Sequence, residues 1–205
     1  MSSTETPKTS FKQRMLQVRE DAIIHAVNRL LAEKGFDAMT VDEVASEVGI
    51  AKASLYKHFS SKEDLAAAAM LRVIRLAQDF ISGLPIEAPP LDNLRSVVRW
   101  LLEVKLAGDM PTLPSQNSSL RATLMTHGDN MAGLMKISAR LGEWIEAAQS
   151  RGELSQRLPA IAILYTLFAR ASDSVVEFLQ TGGRFTDEQI IDIVLTTCFE
   201  GINAR

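Results

Sequence analysis

Apolar positions recur along the chain at spacings of three and four, and alternating apolar and polar runs rich in Val, Ile and Thr are missing. That period belongs to helices, so an all-α fold is expected. Ile23, Ala26/Val27 and Leu30/Leu31 mark one face of a first helix, and Gly35 is placed to end it. The next segment, Met39-Thr40-Val41-Asp42-Glu43-Val44, reads as a capping box with Thr40 as N-cap and Glu43 at the third helical position. Met39 and Val44 are spaced for a hydrophobic staple around it, and Gly49 stops this short helix after Val48. Another short helix begins near Ala51 or Lys52 and ends by Phe59. Ser60 or Ser61 then caps a fourth helix of about 62–81, carrying Leu65, Ala68/Ala69, Val73, Leu76/Ala77 and Phe80.

Pro85 and the pair Pro89-Pro90 interrupt the chain. Beyond them the pattern predicts helices at about 91–107, 116–126, 129–150, 159–180 and 187–202. The last opens on a second capping box, Thr186 to Gln189, with Phe185 and Ile190 as its staple. The expected organisation is a flexible basic arm (1–17), a three-helix front domain (18–65) and a larger helical body (66–205), joined by the fourth helix.

Composition sets limits on this picture. The 205 residues carry a formal net charge of −3, which argues against bulk electrostatic attraction to nucleic acid. Locally the balance reverses. Lys8, Lys12, Arg14 and Arg19 face Glu5 alone in the first nineteen residues, and Lys52, Lys57 and Lys62 face no acid between Ile50 and Lys62. Charge alone favours a run of solvated lysines. No apolar run approaches the ~20 residues of a membrane span, and the polar start MSSTETPKTSFKQR lacks the apolar stretch of a secretory signal. The single Cys198 precludes an internal disulfide and suits a reducing cytoplasm. It sits on an apolar helical stripe and reads as a small buried residue.

Two short helices joined by a tight glycine turn form the minimal helix-turn-helix. Val44, Ala45 and Val48 face inward on the supporting helix, while Ile50, Leu55 and Phe59 anchor the second. Lys52, Ala53, Ser54, Tyr56 and Lys57 are left facing out or flanking. Lysines reach phosphates or guanine edges, Ser54 donates or accepts, and small residues keep the base-proximal half slim. The stiff, hydroxyl-tipped Tyr56 suits a phosphate. The helix starts at Thr40 and near Lys62 offer free N–H groups to phosphates.

The run from Ala22 to Leu65 resembles the N-terminal domain of the TetR family of transcriptional regulators. The resemblance rests on Gly35-Phe36, Met39 to Ala45, Val48 to Ala51, Leu55-Tyr56-Lys57-His58-Phe59 and Ser61 to Leu65. It implies base reading by Lys52, Ala53 and Ser54, with Lys57 as a further candidate, and phosphate contacts by Thr40, Tyr56, His58 and Lys62. The sequence departs from the family pattern at Ala51, where a Ser or Thr cap is usual, and at Ala53, where Gly is frequent. Phe59 is expected in the core. His58 is expected to contact phosphate or pack at the helix end, since His25, His58 and His127 show no paired ligand spacing. No metal or cofactor is expected.

A helix-turn-helix that reads two half-sites of a palindromic operator needs a two-fold partner. The stretches 159–180 and 187–202 are apolar on more than one side, as suits either a face against a second subunit or two central helices of a monomeric bundle, and the resemblance implies a homodimer through both. The middle helices are rich in Met and aromatics, which serve either the core or an adaptable pocket. A small-molecule effector is expected, with Trp100, Arg121, Met125, His127, Met131 and Phe168 as candidate contacts. An enzyme is not expected. There is no Glu-x-x-His pair, no His-Glu-x-x-His, no Gly-rich phosphate loop and no nucleophile elbow. The adjacent acids Asp42/Glu43 and Glu63/Asp64 read as helix caps. The expected function is a cytoplasmic DNA-binding regulator, a repressor released by an apolar or amphipathic ligand. The alternative is a DNA-binding architectural or cell-division factor whose body binds a protein.

Overall fold

The computed structural model describes residues 11–111, 120, 123–124 and 128–202. Among them there are helices and no strand. Nothing breaks the helical pattern between Phe11 and Lys34, and α1 runs over Phe11–Ala38. It therefore takes in residues 11–17, which the polar composition had suggested for the arm. The chain kinks at Gly35 (φ 74°, ψ 174°), a conformation that needs glycine. The kink turns Phe36 and Met39 into the front core.

α2 (Val41–Val48) has the expected capping box. The Glu43 N–H donates to Thr40 Oγ1 at 3.2 Å, and the Thr40 N–H donates to Glu43 Oε2 at 2.9 Å. Gly49 ends it in the left-handed region (φ 71°), and the Ile50 N–H reaches back to the Ala45 carbonyl at 2.9 Å. α3 is a single turn, Lys52–Leu55, prolonged by the His58 and Phe59 N–H groups donating to the Leu55 carbonyl. Ser61, rather than Ser60, caps α4 (Lys62–Gly83) by accepting from the Asp64 N–H.

α5 spans Pro90–Leu106, so Pro90 is its first residue instead of a break before it. A first-turn proline loses no hydrogen bond, because that N–H has no partner in a helix. α6 spans Gly128–Ser150. Of the expected helix at 116–126, most lies outside the described residues. The helix expected over 159–180 is two: α7 (Ala160–Ala169) and α8 (Ser174–Thr181), joined by a 3₁₀ turn at Arg170–Ser172. Asp173 causes the break. Its carboxylate is buried, accepts from the Val175 N–H at 3.0 Å and from Arg170 Nη1 at 2.6 Å, and so caps a new helix. α9 (Asp187–Phe199) opens on the second capping box at Thr186 and Gln189.

Two apolar clusters result. The front cluster joins Ile23, Val27, Leu31, Met39, Val44 and Leu55 to Leu65, Ala66 and Ala69 of α4, and to Leu120. The body cluster joins Ile74, Ala77 and Ile81 of the same helix to Leu94 and Val98 of α5, Leu141 and Trp144 of α6, Leu164 of α7 and Ile190 of α9. Arg99 clamps α5 to α9 through Glu188 (2.6 Å) and Asp192 (2.8 Å). Cys198 packs against the body cluster, and burial pushes its thiol up from the ordinary range, as a structural cysteine requires.

Candidate nucleic-acid interface

The interface is built on Leu55. With its side chain fully buried, Leu55 pins the one-turn α3 to the front core, and Phe59 packs half-buried one turn later. This leaves Lys52, Ala53, Tyr56 and Lys57 exposed on the other side, with Ser54 partly covered. Tyr56 keeps 48% of its surface open. Ala51 occupies the N-cap position in extended geometry and makes no side-chain cap. The Ser54 N–H instead closes onto the Ala51 carbonyl at 2.7 Å.

Three of the expected contact residues are already engaged by partners within the protein. His58 is turned inward: its side chain is 14% exposed and Nδ1 lies 3.1 Å from Glu20 Oε1 of α1. Lys62 lies over the Phe36 ring, 4.3 Å from its centroid, and donates to the Asp37 carbonyl at 3.3 Å. Lys52 Nζ donates to Asp42 Oδ2 at 2.8 Å, and that hydrogen bond holds its ammonium above the ordinary range. Thr40 is exposed, with its hydroxyl engaged in the capping box. The roles of Asp42 and Glu20 were missed in the sequence. Ten and thirty-eight residues separate the partners, and no local pattern joins them.

The Glu43 carboxyl draws two elements together. It accepts from Lys34 Nζ of α1 at 2.7 Å and from Thr40. Lys34 first and Thr40 second hold it well below its ordinary 4.5, at about 2. The start of α2 is thereby fixed to α1, and α3 is fixed to α2 through the Gly49 turn.

The sequence profile of the bacterial regulatory proteins of the tetR family matches residues 23–69, from α1 through the first turns of α4. Over that stretch the chain is similar to the DNA-binding domain of TetR-family regulators. Among curated relatives, the uncharacterized HTH-type transcriptional regulator YerO of Bacillus subtilis is 49% identical over 83 residues, which are 39% of this chain and 29% of YerO. The chain thus matches under a third of that relative's length. The HTH-type transcriptional regulator EthR of Mycolicibacterium smegmatis is 27% identical over 169 residues, covering 81% of this chain and 77% of EthR. Among solved structures, AibR in complex with isovaleryl coenzyme A and operator DNA shares the fold. Its TM-score is 0.63 at 21% identity, with 88% of this chain and 98% of that one covered.

Of the expected effector contacts, Trp100, Met131 and Phe168 lie among the described residues. Trp100 stacks on Phe80 with ring centroids 5.4 Å apart, and Phe168 packs against the body cluster. Met131 lies on α6 at 36% exposure. Arg121, Met125 and His127 lie outside the described residues. A cleft of about 650 Å³ opens between the end of α1 (Ala32, Gly35), the end of α5 and the segment after it (Lys105, Met110) and α8 (Val176, Gln180). A groove of about 590 Å³ runs between α4 and α6, past Gln78, Ile81, Lys136 and Arg140.

Proposed function

We propose that the chain is a homodimeric repressor that holds a palindromic DNA operator and lets it go when a small apolar or amphipathic ligand binds the body. The observation that carries this reading is the exposed set Ala53, Tyr56 and Lys57 on a helix anchored by a fully buried Leu55. A short, rigidly held helix with small residues at its start and a phenol and lysine beyond is suited to a major groove. The N-terminus of α2 adds a phosphate site beside Thr40. Base reading falls to Lys52, Ala53, Ser54 and Lys57, and phosphate contact to Thr40 and Tyr56, with His58 and Lys62 available once they leave their internal partners.

Dimerisation is supported by an apolar face that α7 and α8 leave uncovered. Ile161 and Tyr165, one turn apart, are 53% and 65% exposed, and Phe178 is 75% exposed. Apolar residues so exposed on two adjacent helices suit burial against a second copy. For the ligand, the fold shared with AibR makes isovaleryl coenzyme A the first compound to try.

The deciding measurement is fluorescence anisotropy on duplex DNA from upstream of the chain's own gene, across a salt series. Tight, sequence-dependent binding is expected, with a log–log slope of about −0.9 per phosphate contacted. Tyr56→Ala should weaken binding to all sequences, and a Tyr56→Ala protein that binds normally would displace the interface from α3. Weak binding indifferent to sequence would overturn the repressor reading.

A further inference from the structure

Lys52 is the one long side chain in the base-proximal half of α3; its neighbours Ala51, Ala53 and Ser54 are small. Where its ammonium points therefore decides what that half of the helix can read. Asp42 decides it. Asp42 Oδ2 accepts from Lys52 Nζ at 2.8 Å, and the carboxylate is spare, because the α2 capping box and the bond to Lys34 both use Glu43. Both partners are open to solvent, at 46% and 71% of their side chains, as are Thr40 and Tyr56. A surface pair of this kind adds little to stability. Its consequence is orientation, since it restrains a four-carbon stem that would otherwise sweep widely.

Resting on the repressor reading above, we propose that Asp42 is a specificity-determining residue that holds Lys52 to a base edge and away from the DNA backbone. A free lysine beside a duplex finds the nearest phosphate, which carries no sequence information. An acid next to it repels that phosphate and leaves the ammonium to acceptor atoms in the groove. Guanine presents two such acceptors, N7 and O6, and the paired cytosine presents the N4 amino donor. A cation and a carboxylate side by side match that edge, the ammonium on guanine and the carboxylate oxygen toward cytosine N4. The pair therefore reads one G·C base pair in each half-site, and Asp42 trades affinity for discrimination.

The test is selection from a random-sequence duplex library by the full-length chain, with wild type, Asp42→Asn, Lys52→Met and the double variant run in parallel. The capping box uses Thr40 and Glu43 and leaves Asp42 out, so the fold should be kept, and equal far-ultraviolet circular dichroism checks this. Wild type should enrich a half-site with one G·C position that flattens in Lys52→Met. Asp42→Asn should flatten the same position by about fivefold or more, and the double variant should flatten it no further. Asp42→Asn should also bind non-operator DNA more tightly, with a salt slope steeper by about 0.9 as Lys52 gains a phosphate. The proposal is overturned if Asp42→Asn keeps the wild-type preference, or loses it at a position Lys52→Met leaves untouched. A wild-type chain that enriches no sequence at all overturns the repressor reading, and this one with it.

Discussion

Gly133 offers a stability change whose sign should reverse with one neighbouring methyl group. A Cβ placed at Gly133 would stand 2.5 Å from Ile74 Cγ2, across the α4–α6 contact. Carbon atoms in ordinary contact stand about 3.5–4.0 Å apart, so Gly133→Ala requires the two helices to part by roughly 1 Å. Ile74 cannot swing aside, being buried and β-branched with a stiff χ1. Overpacking of this kind costs about 1–3 kcal/mol. Against it stands the helix preference for Ala over Gly, about 1 kcal/mol. The net expectation is a loss of up to about 2 kcal/mol, and each kcal/mol is about 2–4 °C in Tm for a chain of this size. Ile74→Ala alone should cost about 2–5 kcal/mol. In that background the obstructing methyl is gone, and Gly133→Ala should stabilise by about 1 kcal/mol. Urea denaturation of the four proteins at one protein concentration completes the cycle. If Gly133→Ala is stabilising with Ile74 in place, the close approach of α4 and α6 is refuted.

Two further perturbations address the front domain. Leu55→Ala removes the only buried side chain of α3, and should cost about 2–5 kcal/mol by thermal or chemical melting. A loss under about 0.5 kcal/mol would mean that α3 is not pinned where the interface requires it. Glu43→Gln tests the capping box through pH. The Glu43 carboxyl is depressed from 4.5 to about 2 in the folded chain, so its contribution is present above pH 4.5 and is lost as pH falls toward 2. Wild type should therefore lose more stability than Glu43→Gln over that window, at matched salt. Parallel stability curves would contradict the Lys34–Glu43–Thr40 linkage.

What the sequence made legible was local. The boxes at Thr40 and Thr186 and the stop at Gly49 each depend on residues within a few positions, and each appears as expected. The inward set of Val44, Leu55 and Phe59 follows from helical spacing and is found against one core. The break at Asp173 was hidden because the apolar period continues through it. Only the folded chain supplies Asp173 with both burial and Arg170 as a partner. His58, expected to contact phosphate or to pack at the helix end, is turned inward to Glu20, a partner that nothing near it in sequence points to. Trp100 and Phe168, weighed between pocket and core, pack on the body cluster, because aromatic side chains at helical spacing gain most from dry contact.

The arrangement of the two cores bears on how the body could govern the interface. α4 belongs to both: Leu65, Ala66 and Ala69 lie in the front cluster, and Ile74, Ala77 and Ile81 lie in the body cluster. Neither Pro nor Gly stands between Lys62 and Ser82, so the helix has no natural point at which to bend. A displacement at Ile74, where Gly133 brings α6 against it, must then be carried to Leu65 as a tilt of the whole rod. The front domain has a second tie to the body, His25 Nδ1 of α1 at 3.5 Å from Asp109 Oδ1, just beyond α5. A ligand that moves α4 and leaves the end of α5 in place would shear one attachment against the other. The α4 attachment is a row of buried apolar contacts, whereas His25 is exposed and Asp109 partly so. The exposed contact would yield first, so α1 would follow α4, and α2 and α3 would move with α1 through the buried front cluster they share.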